Sequence, residues 1–408
     1  MRDGVLVSEV RVRGPLAAYA VGFSEFLAGQ GYTAGSVRLQ MHLVAQFSRW
    51  LDADGVELAG LSELVAERFV AARRARVERL FRSRQALEPV MGYLRGLGVV
   101  PAPVAVGPWT PVEEVAERYR RYLLVERALR VESARIYLQT VRLFLARFEG
   151  AGRVELERVT PGEVSAFLLA EATRRPGTSI RSVATALRSL LVFLHVEGLL
   201  ERSLAGAVPG VGAWRASGLP QPLESGELRR LLASCDRRTS VGRRDFAIVM
   251  LMGRLGLRCG EVAGLMLEDI DWRAGEILIY GKGRRDDRLP LPVDVGDAVA
   301  GYLRRGRPSS AIGRAVFVRV LAPHRAMGSG AVSRVVFSAG QRAGLGTVRA
   351  HRLRHTAGTE LLREGASLPE VGQVLRHRRL LSTAIYAKVD DRSLRQLARP
   401  WPVARSGS

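Results

Sequence analysis

Two stretches rich in proline and glycine interrupt the helical periodicity of this chain of 408 residues. They are GVVPAPVAVGPWTP (98–111) and AGAVPGVGAWRASGLPQPL (205–223). Such stretches are typical of linkers, because proline cannot continue a helix and glycine weakens one. The sequence therefore predicts three domains and a short C-terminal tail, at residues 1–97, 110–204, 220–398 and 399–408.

The first two predicted domains are helical and look like copies of one another. SVRLQMHLVAQFSRWL (36–51) aligns without gaps on SARIYLQTVRLFLARF (133–148), and VMGYLRGLGVV (90–100) aligns on LLVFLHVEGLL (190–200). Apolar residues recur at helical spacing, and the serine that opens each segment of the first pair stands where an N-cap is expected. The steady offset favours an internal duplication; the alternative is a chance match between two helical bundles of similar composition.

The third predicted domain mixes helices with one hairpin. SGELRRLLASC, RRDFAIVMLMGRLG and HRLRHTAGTELLREG (351–365) have helical spacing, and Gly365 is expected just past the end of the last helix. GEILIYGKGRRDDRLPLP alternates like two strands around a turn flanked by glycines. The fold class expected for the whole chain is therefore mainly α with a small β-hairpin or sheet.

The charge balance indicates a polyanionic partner. Lys and Arg number 62 against 40 Asp and Glu, which gives a formal net charge of +22. A codon bias towards arginine could explain the near absence of lysine but not this excess of bases, so nucleic acid is the expected partner. The N-terminus lacks a signal-peptide core and no apolar run could span a bilayer, so we expect a cytoplasmic protein.

Six residues of the third domain form an ordered set of motifs. They are Arg258 in GLRCGE, Lys282 in GKG at the predicted hairpin tip, His351 and Arg354 in HRLRH, His377 in LRH and Tyr386 in AIY. The set resembles the tyrosine recombinases of the phage-integrase type, whose motifs read G-L-R-x-x-E, G-K-G, H-x-L-R-H, L-G-H and I-Y. The resemblance covers essentially the whole third domain.

The resemblance implies a site-specific recombinase that breaks and rejoins double-stranded DNA through a 3′-phosphotyrosyl intermediate, with no cofactor or metal. It implies a mixed α+β catalytic domain preceded by helical, SAM-like DNA-clamp domains. It also implies a homotetramer on two synapsed duplexes, with accessory DNA-bending proteins as further partners. The C-terminal stretch 390–408, which carries Leu394, Leu397 and Trp401 at amphipathic spacing, would then dock on a neighbouring protomer.

The chemistry of these residue types fits attack on a phosphodiester. Arg258 and Arg354 can each bind the phosphoryl oxygens in a bidentate fork and stabilise the added charge. Tyr386 would be the nucleophile; its unperturbed pKa near 10 leaves about 0.1% phenolate at pH 7. We expect the surrounding cations to raise that fraction, His351 to accept the proton and His377 to donate to a phosphoryl oxygen.

The leaving 5′-oxygen needs a proton, and Lys282 is the expected donor. Lys282 and Lys388 are the two lysines of the chain. A lysine ammonium can titrate near neutral pH when it is partly buried among cations, whereas arginine does not readily release a proton. Lys388, two residues beyond Tyr386, is the alternative donor.

Three neighbouring positions are harder to interpret. Arg376 stands where the family has glycine, so we expect the backbone before His377 to be less tightly turned. Glu261 matches a family acidic residue that orients the active-site His and Lys groups; the alternative is that it caps its own helix. His355 lies one turn from His351, and we expect it to have a packing role.

The extra N-terminal domain bears on the biological role. Xer members of the family have one clamp domain, so the additional residues favour the integrase or transposase of a mobile element over Xer-like resolution of chromosome or plasmid dimers. Two rival activities are a type IB topoisomerase-like nicking enzyme and a catalytically silent DNA-binding protein. The first would not synapse two duplexes, and the intact set of six residues argues against the second.

Overall fold

The computed structural model describes most of the chain. The described residues are 5–75, 83–102, 110–129, 131–174, 177–210, 222–281, 286–377, Thr383 and Tyr386. Lys282, Lys388 and the predicted tail lie outside them. The chain divides into two compact units, one made of Met1–Ala102 together with Ala216–Ser408 and the other of Pro103–Arg215.

The first region combines a hairpin with four helices. Its elements are β1 (Val5–Val7), β2 (Val10–Val12), α1 (Ala20–Gly29), α2 (Ala34–Ala53), α3 (Glu63–Ala75) and α4 (Glu88–Gly96). The two strands pair antiparallel, with Val7 opposite Val10. Phe47 of α2 is fully buried and its ring lies 4.7 Å from that of Phe69 on α3, so apolar faces hold these helices together.

The second region is a helical bundle. Its helices are α5 (Pro111–Arg121), α6 (Val131–Leu145), α7 (Pro161–Arg174) and α8 (Gly177–Val196). Thr110 caps α5 by accepting a hydrogen bond from the backbone of Glu113, and a π-helical turn at Tyr122–Glu126 extends the helix. The buried Phe144 of α6 packs edge-on against Phe167 of α7 at 5.2 Å.

Two features of these regions recur at a similar offset. Helix α3 begins at Glu63 and α7 at Pro161, which is an offset of 98. The turns after α4 and α8 each contain a left-handed glycine, Gly98 at φ 71° and Gly198 at φ 69°. Internal duplication remains our interpretation of this pattern, which the sequence alignment already indicated.

The predicted N-cap role of two serines is wrong. Ser36 and Ser133 each stand two residues inside their helices, α2 and α6. Thr33 caps α2, because its hydroxyl accepts a hydrogen bond from the Ser36 backbone N–H at 3.3 Å. A threonine three residues upstream therefore supplies the cap that the sequence pattern assigned to the serine.

The third region is built around a central apolar helix. Its elements are α9 (Ser225–Ala233), α10 (Ser240–Arg254), α11 (Cys259–Ala263), β3 (Ile270–Asp271), β4 (Glu276–Tyr280), β5 (Asp286–Pro290), α12 (Val293–Arg305), α13 (Ser329–Arg342), α14 (Ala350–Arg363) and α15 (Leu368–Val374). Helix α10 packs against α12, α13 and α14, and its residues Ile248 and Leu251 are fully buried. This central position explains the run FAIVMLM, which is apolar on every face.

The strands form a three-stranded antiparallel sheet in the order β3-β4-β5. Ile277 pairs with Leu289, and both face the core of the third region. The predicted hairpin is thus confirmed in its strands, and the predicted glycine at the end of α14 is confirmed by Gly365, which has φ 100°. The mainly helical fold class is confirmed as well. Within the described ranges, the helices lack the length and apolar character that crossing a membrane requires.

Candidate active site

Arg354 is the buried anchor of the site. It lies in the first turns of α14, is 2% exposed, and donates through Nη1 to the carbonyl of Gly256 at 2.6 Å and through Nη2 to the carbonyl of Leu375. Gly256 has φ 61°, and a Cβ there would lie 2.5 Å from a Leu375 methyl carbon. Burial lowers the pKa of Arg354 to about 10, so it stays a cation at neutral pH.

Arg258 is the half-exposed cation of the site, and Glu261 holds it in place. Arg258 is the N-cap residue of α11, and its Nη1 lies 2.6 Å from Glu261 Oε1. The Arg258 backbone N–H donates to the other carboxylate oxygen at 2.9 Å. Glu261 therefore caps its own helix, as the alternative interpretation had it, and also binds a candidate catalytic arginine.

Arg376 adopts a tight left-handed turn at the position where the family motif has glycine. Its φ is 54°, in the left-handed region, so the expectation of a looser backbone before His377 is wrong. The Arg376 side chain is 5% exposed, and its Nη2 lies 2.8 Å from Glu261 Oε2. One buried carboxylate thus bridges two arginines, Arg258 and Arg376.

Tyr386 lies in a closed pocket between α14 and α15. The residue is 1% exposed, and its hydroxyl lies 3.1 Å from Nδ1 of His355. A Cβ on Gly358 would lie 2.7 Å from the Tyr386 Cζ, so the pocket exists because α14 has no side chain there. The packing role expected for His355 is therefore incomplete, since this histidine touches the candidate nucleophilic oxygen.

The pocket keeps the Tyr386 phenol protonated. Burial raises the pKa of Tyr386 to about 12, and the Arg354 cation offsets only part of that rise. A pKa of this size leaves about one molecule in 10⁵ as phenolate at pH 7. The expectation that surrounding cations raise the phenolate fraction is wrong for this arrangement, because desolvation outweighs them.

His377 is the second imidazole beside the tyrosine. Its Nδ1 lies 2.8 Å from the Thr383 hydroxyl, and its ring is nearly parallel to that of Tyr386 at 6.2 Å between centroids. Burial, followed by the charges of Arg354 and Arg258, lowers the pKa of His377 to about 4. His377 is therefore neutral at pH 7 and can donate one hydrogen bond.

His351 lies on the exposed side of the cluster. It stands in the first turn of α14, and its ring meets the ring of His355 edge-on at 4.5 Å. Contacts thus run from His351 through His355 to Tyr386. The described part of the chain brings five of the six predicted site residues into one region, at Arg258, His351, Arg354, His377 and Tyr386.

Sequence reasoning did not consider Gly358 and missed the contacts that His355 and Arg376 make. His355 and Gly358 line the tyrosine pocket, and Arg376 binds Glu261. One signal was available for His355, because it stands four residues after His351 and so shares its helix face. Gly358 in the middle of a helix was a second signal, since glycine is unfavourable there without a packing reason.

The second and third regions match family models. Residues 221–393 match the phage integrase family, and residues 116–198 match the N-terminal SAM-like domain of phage integrases. The y4rA protein of Sinorhizobium fredii (strain NBRC 101917 / NGR234), named as an integrase/recombinase, is 39% identical over 394 residues, 95% of each chain. The tyrosine recombinase XerD of Mycobacterium tuberculosis is 32% identical over 297 residues, 68% of this chain and 94% of XerD.

Solved structures share the fold. XerH bound to its palindromic difH substrate after cleavage has a TM-score of 0.57 at 19% identity, over 72% of this chain and 98% of XerH. A lambda integrase tetramer bound to a Holliday junction has a TM-score of 0.52 at 16% identity, over 81% of this chain and 92% of that one. The chain therefore belongs to the tyrosine recombinase family of site-specific DNA recombinases. The predicted family and enzyme class are confirmed.

Proposed function

We propose that this protein cleaves one strand of double-stranded DNA by attack of Tyr386 on the scissile phosphate. A bond forms between the tyrosine oxygen and phosphorus, and the bond from phosphorus to the 5′-oxygen breaks. The products are a 3′-phosphotyrosyl ester and a free 5′-hydroxyl, so the reaction can be reversed on a second strand. The observation that carries the proposal is the grouping of Arg258, Arg354, His355 and His377 with Tyr386. Burial lowers the pKa of both histidines to about 4, so both are neutral at pH 7.

The other site residues have roles that the chemistry of their side chains allows. The half-exposed Arg258 and the buried Arg354 stabilise the charge that develops on the phosphoryl oxygens. His377 donates to one of those oxygens, and His351 accepts the phenolic proton. Lys282, which lies outside the described residues, protonates the leaving 5′-oxygen.

Tyr386 leaves its pocket before it attacks. A hydroxyl that is enclosed and bonded to His355 cannot contact a DNA phosphate, and its pKa of about 12 keeps it protonated. Outside the pocket the phenol loses the desolvation that raises its pKa. The closed arrangement is therefore a resting state, and DNA binding or contact between protomers shifts the population towards the open one.

The partners are double-stranded DNA and three further copies of the chain. XerH is bound to its substrate difH, and the lambda integrase tetramer is bound to a Holliday junction, which supports the same assembly here. The net charge of +22 provides the attraction to phosphates. Accessory DNA-bending proteins and a cytoplasmic location remain predictions from the sequence.

The biological role is that of an integrase or transposase of a mobile element. The similarity to y4rA extends over 95% of this chain and so includes the first region. The similarity to XerD covers 68% of the chain, which supports Xer-like dimer resolution as the second candidate. Transfer of the gene's own flanking DNA ends to a new target, rather than resolution of repeated sites, would distinguish the first role from the second.

An adduct assay tests the proposed chemistry. On a nicked suicide substrate, the released fragment cannot rejoin, so the wild-type protein accumulates an SDS-stable complex with DNA. Tyr386→Phe should abolish the complex and leave DNA affinity nearly unchanged, because it removes only the nucleophilic oxygen. An adduct that persists in Tyr386→Phe would eliminate Tyr386 as the nucleophile.

Supercoiled DNA and a pair of labelled duplexes, used beside the suicide substrate, separate the rival activities. A type IB topoisomerase-like enzyme would form the adduct and relax supercoils, but would not join strands from two labelled duplexes. A silent DNA-binding protein would shift the mobility of the duplex without any adduct. Formation of recombinant strands from two duplexes is the outcome expected here.

A further inference from the structure

The turn before His377 contains an arginine in a conformation that suits glycine. Arg376 has φ 54°, where an L side chain is strained, and the family motif has glycine at this position. Strained residues of this kind persist where the surrounding structure fixes them, and they occur preferentially at functional sites. The contacts of the Arg376 side chain should therefore explain why an arginine occupies this position.

The Arg376 guanidinium is buried against one carboxylate. Its Nη2 lies 2.8 Å from Glu261 Oε2, its Nη1 donates to the Val374 carbonyl at 2.9 Å, and both charged side chains are about nineteen-twentieths buried, with 5% and 6% exposed. A buried charge is very costly without a partner, and Glu261 supplies that partner. The two residues are 115 positions apart, so the pair ties the α15 turn to α11.

Glu261 is shared, and the second cation is Arg258. Glu261 Oε1 accepts from Arg258 Nη1 at 2.6 Å, and Arg258 Nη2 reaches towards the Arg376 carbonyl at 3.5 Å. Unlike the other two side chains, that of Arg258 is 42% exposed. The order is therefore a buried cation, a buried anion and an outward-facing cation.

Sharing weakens the hold of Glu261 on Arg258. With a single partner, the carboxylate and Arg258 would form a neutral closed pair that competes with any incoming phosphate. With two partners, the three groups carry a net charge of +1, and repulsion from the Arg376 cation offsets part of the attraction between Glu261 and Arg258. Arg258 then keeps both its orientation and its attraction for an anion.

We propose that Arg376 is a positioning residue for DNA cleavage, which acts through Glu261 to keep Arg258 available to the scissile phosphate. This inference rests on the proposed function. The structural alternative is that Arg376 only fills space and stabilises the turn. The two accounts differ in what happens when the charge of Glu261 is removed together with Arg376.

A double-mutant cycle separates these accounts. The proteins are the wild type, Arg376→Gly, Glu261→Gln and the double variant, and glycine suits the left-handed turn. The measurement is the single-turnover rate of adduct formation at saturating suicide substrate, with DNA affinity and the thermal midpoint measured beside it. Arg273→Gly, at an exposed turn residue outside the cluster, is the matched control.

Arg376→Gly should slow adduct formation by about 10- to 100-fold, less than the loss of a direct oxyanion donor. Adding Glu261→Gln should restore the rate to within about fivefold of the wild type, because the carboxylate that captures Arg258 is gone. Glu261→Gln alone should lower the thermal midpoint, since Arg376 then remains a buried cation without its anion. Arg273→Gly should cleave at the wild-type rate.

Two outcomes overturn the inference while the proposed function stands. One is adduct formation by Arg376→Gly at the wild-type rate. The other is a double variant that forms the adduct as slowly as Arg376→Gly alone. If Arg376→Gly does not fold, the comparison of Arg376→Lys with Arg376→Gln tests the inference instead. Arg376→Lys should form the adduct at least about tenfold faster than Arg376→Gln, because lysine keeps the charge. Equal rates for these two variants would refute the inference. If the wild type forms no adduct, the proposed function fails and the inference falls with it.

Discussion

Gly358 offers a direct test of the closed tyrosine pocket. In Gly358→Ala, the new Cβ would lie 2.7 Å from Cζ and 2.8 Å from Cε1 of Tyr386, and 2.9 Å from a methyl carbon of Leu375. Leu375 can rotate, but the aromatic ring is rigid and fills the pocket. The ring must therefore move by most of an ångström or leave.

The free-energy cost of the added methyl group can be estimated from the packing. Overpacking of this kind costs about 1–3 kcal/mol, and we take about 2 kcal/mol for a clash with a rigid ring. That cost falls on the closed state alone, because an expelled tyrosine no longer meets the methyl group. A shift of about 2 kcal/mol raises the ratio of open to closed tyrosine by about 30-fold. The gain in helix propensity from glycine to alanine, about 1 kcal/mol, is common to both states.

The assay is the initial rate of adduct formation on the suicide substrate. If opening of the pocket limits the rate, Gly358→Ala should react up to about 30-fold faster than the wild type, with a thermal midpoint that changes little. Gly92→Ala is the matched control, because Gly92 lies within α4 and a Cβ there meets nothing within 4 Å. That control should gain stability with no change in rate. An unchanged rate combined with a raised midpoint in Gly358→Ala would refute the pocket geometry.

Three further predictions concern the proton donor, DNA binding and pH. Lys282→Ala should slow cleavage by roughly 10²–10⁴, and Lys282→Arg should slow it nearly as much. A substrate with sulfur at the bridging 5′ position should restore the cleavage rate of Lys282→Ala, because a thiolate leaves without an acid. An equal defect on both substrates would point to Lys388 as the proton donor. DNA affinity should fall by about 10³–10⁵ between roughly 50 and 200 mM salt, as measured by fluorescence anisotropy. A flat response would show that the excess of basic residues does not bind DNA phosphates. His355 and His377 have pKa values lowered by burial from 6.5 to about 4, so the unfolded chain binds more protons in that window and stability is lost as pH falls through it. Urea unfolding should show that the free energy of unfolding falls by about 1–3 kcal/mol between pH 7 and pH 5, after allowance for screening by solvent. A fall of the same size in the His355→Gln, His377→Gln double variant would show that these two histidines are not its cause.

The sequence by itself determined the parts of this protein that depend on local pattern. Helical spacing identified α10 and α14, and alternation around a glycine-flanked turn identified β4 and β5. The order of Arg258, Lys282, His351, Arg354, His377 and Tyr386 identified the family and the class of enzyme. These features are readable because residue type and short-range spacing carry them.

The tertiary structure decided how the site is held together and that Tyr386 is enclosed within it. His355 meets Tyr386 across 31 positions, and Arg376 meets Glu261 across 115. No local pattern encodes such pairs, because they depend on how α14, α15 and α11 pack together. The tyrosine pKa was misjudged for the same reason: the sequence revealed the cations around Tyr386, whereas only the packed structure revealed that its ring is buried, and desolvation outweighs those charges.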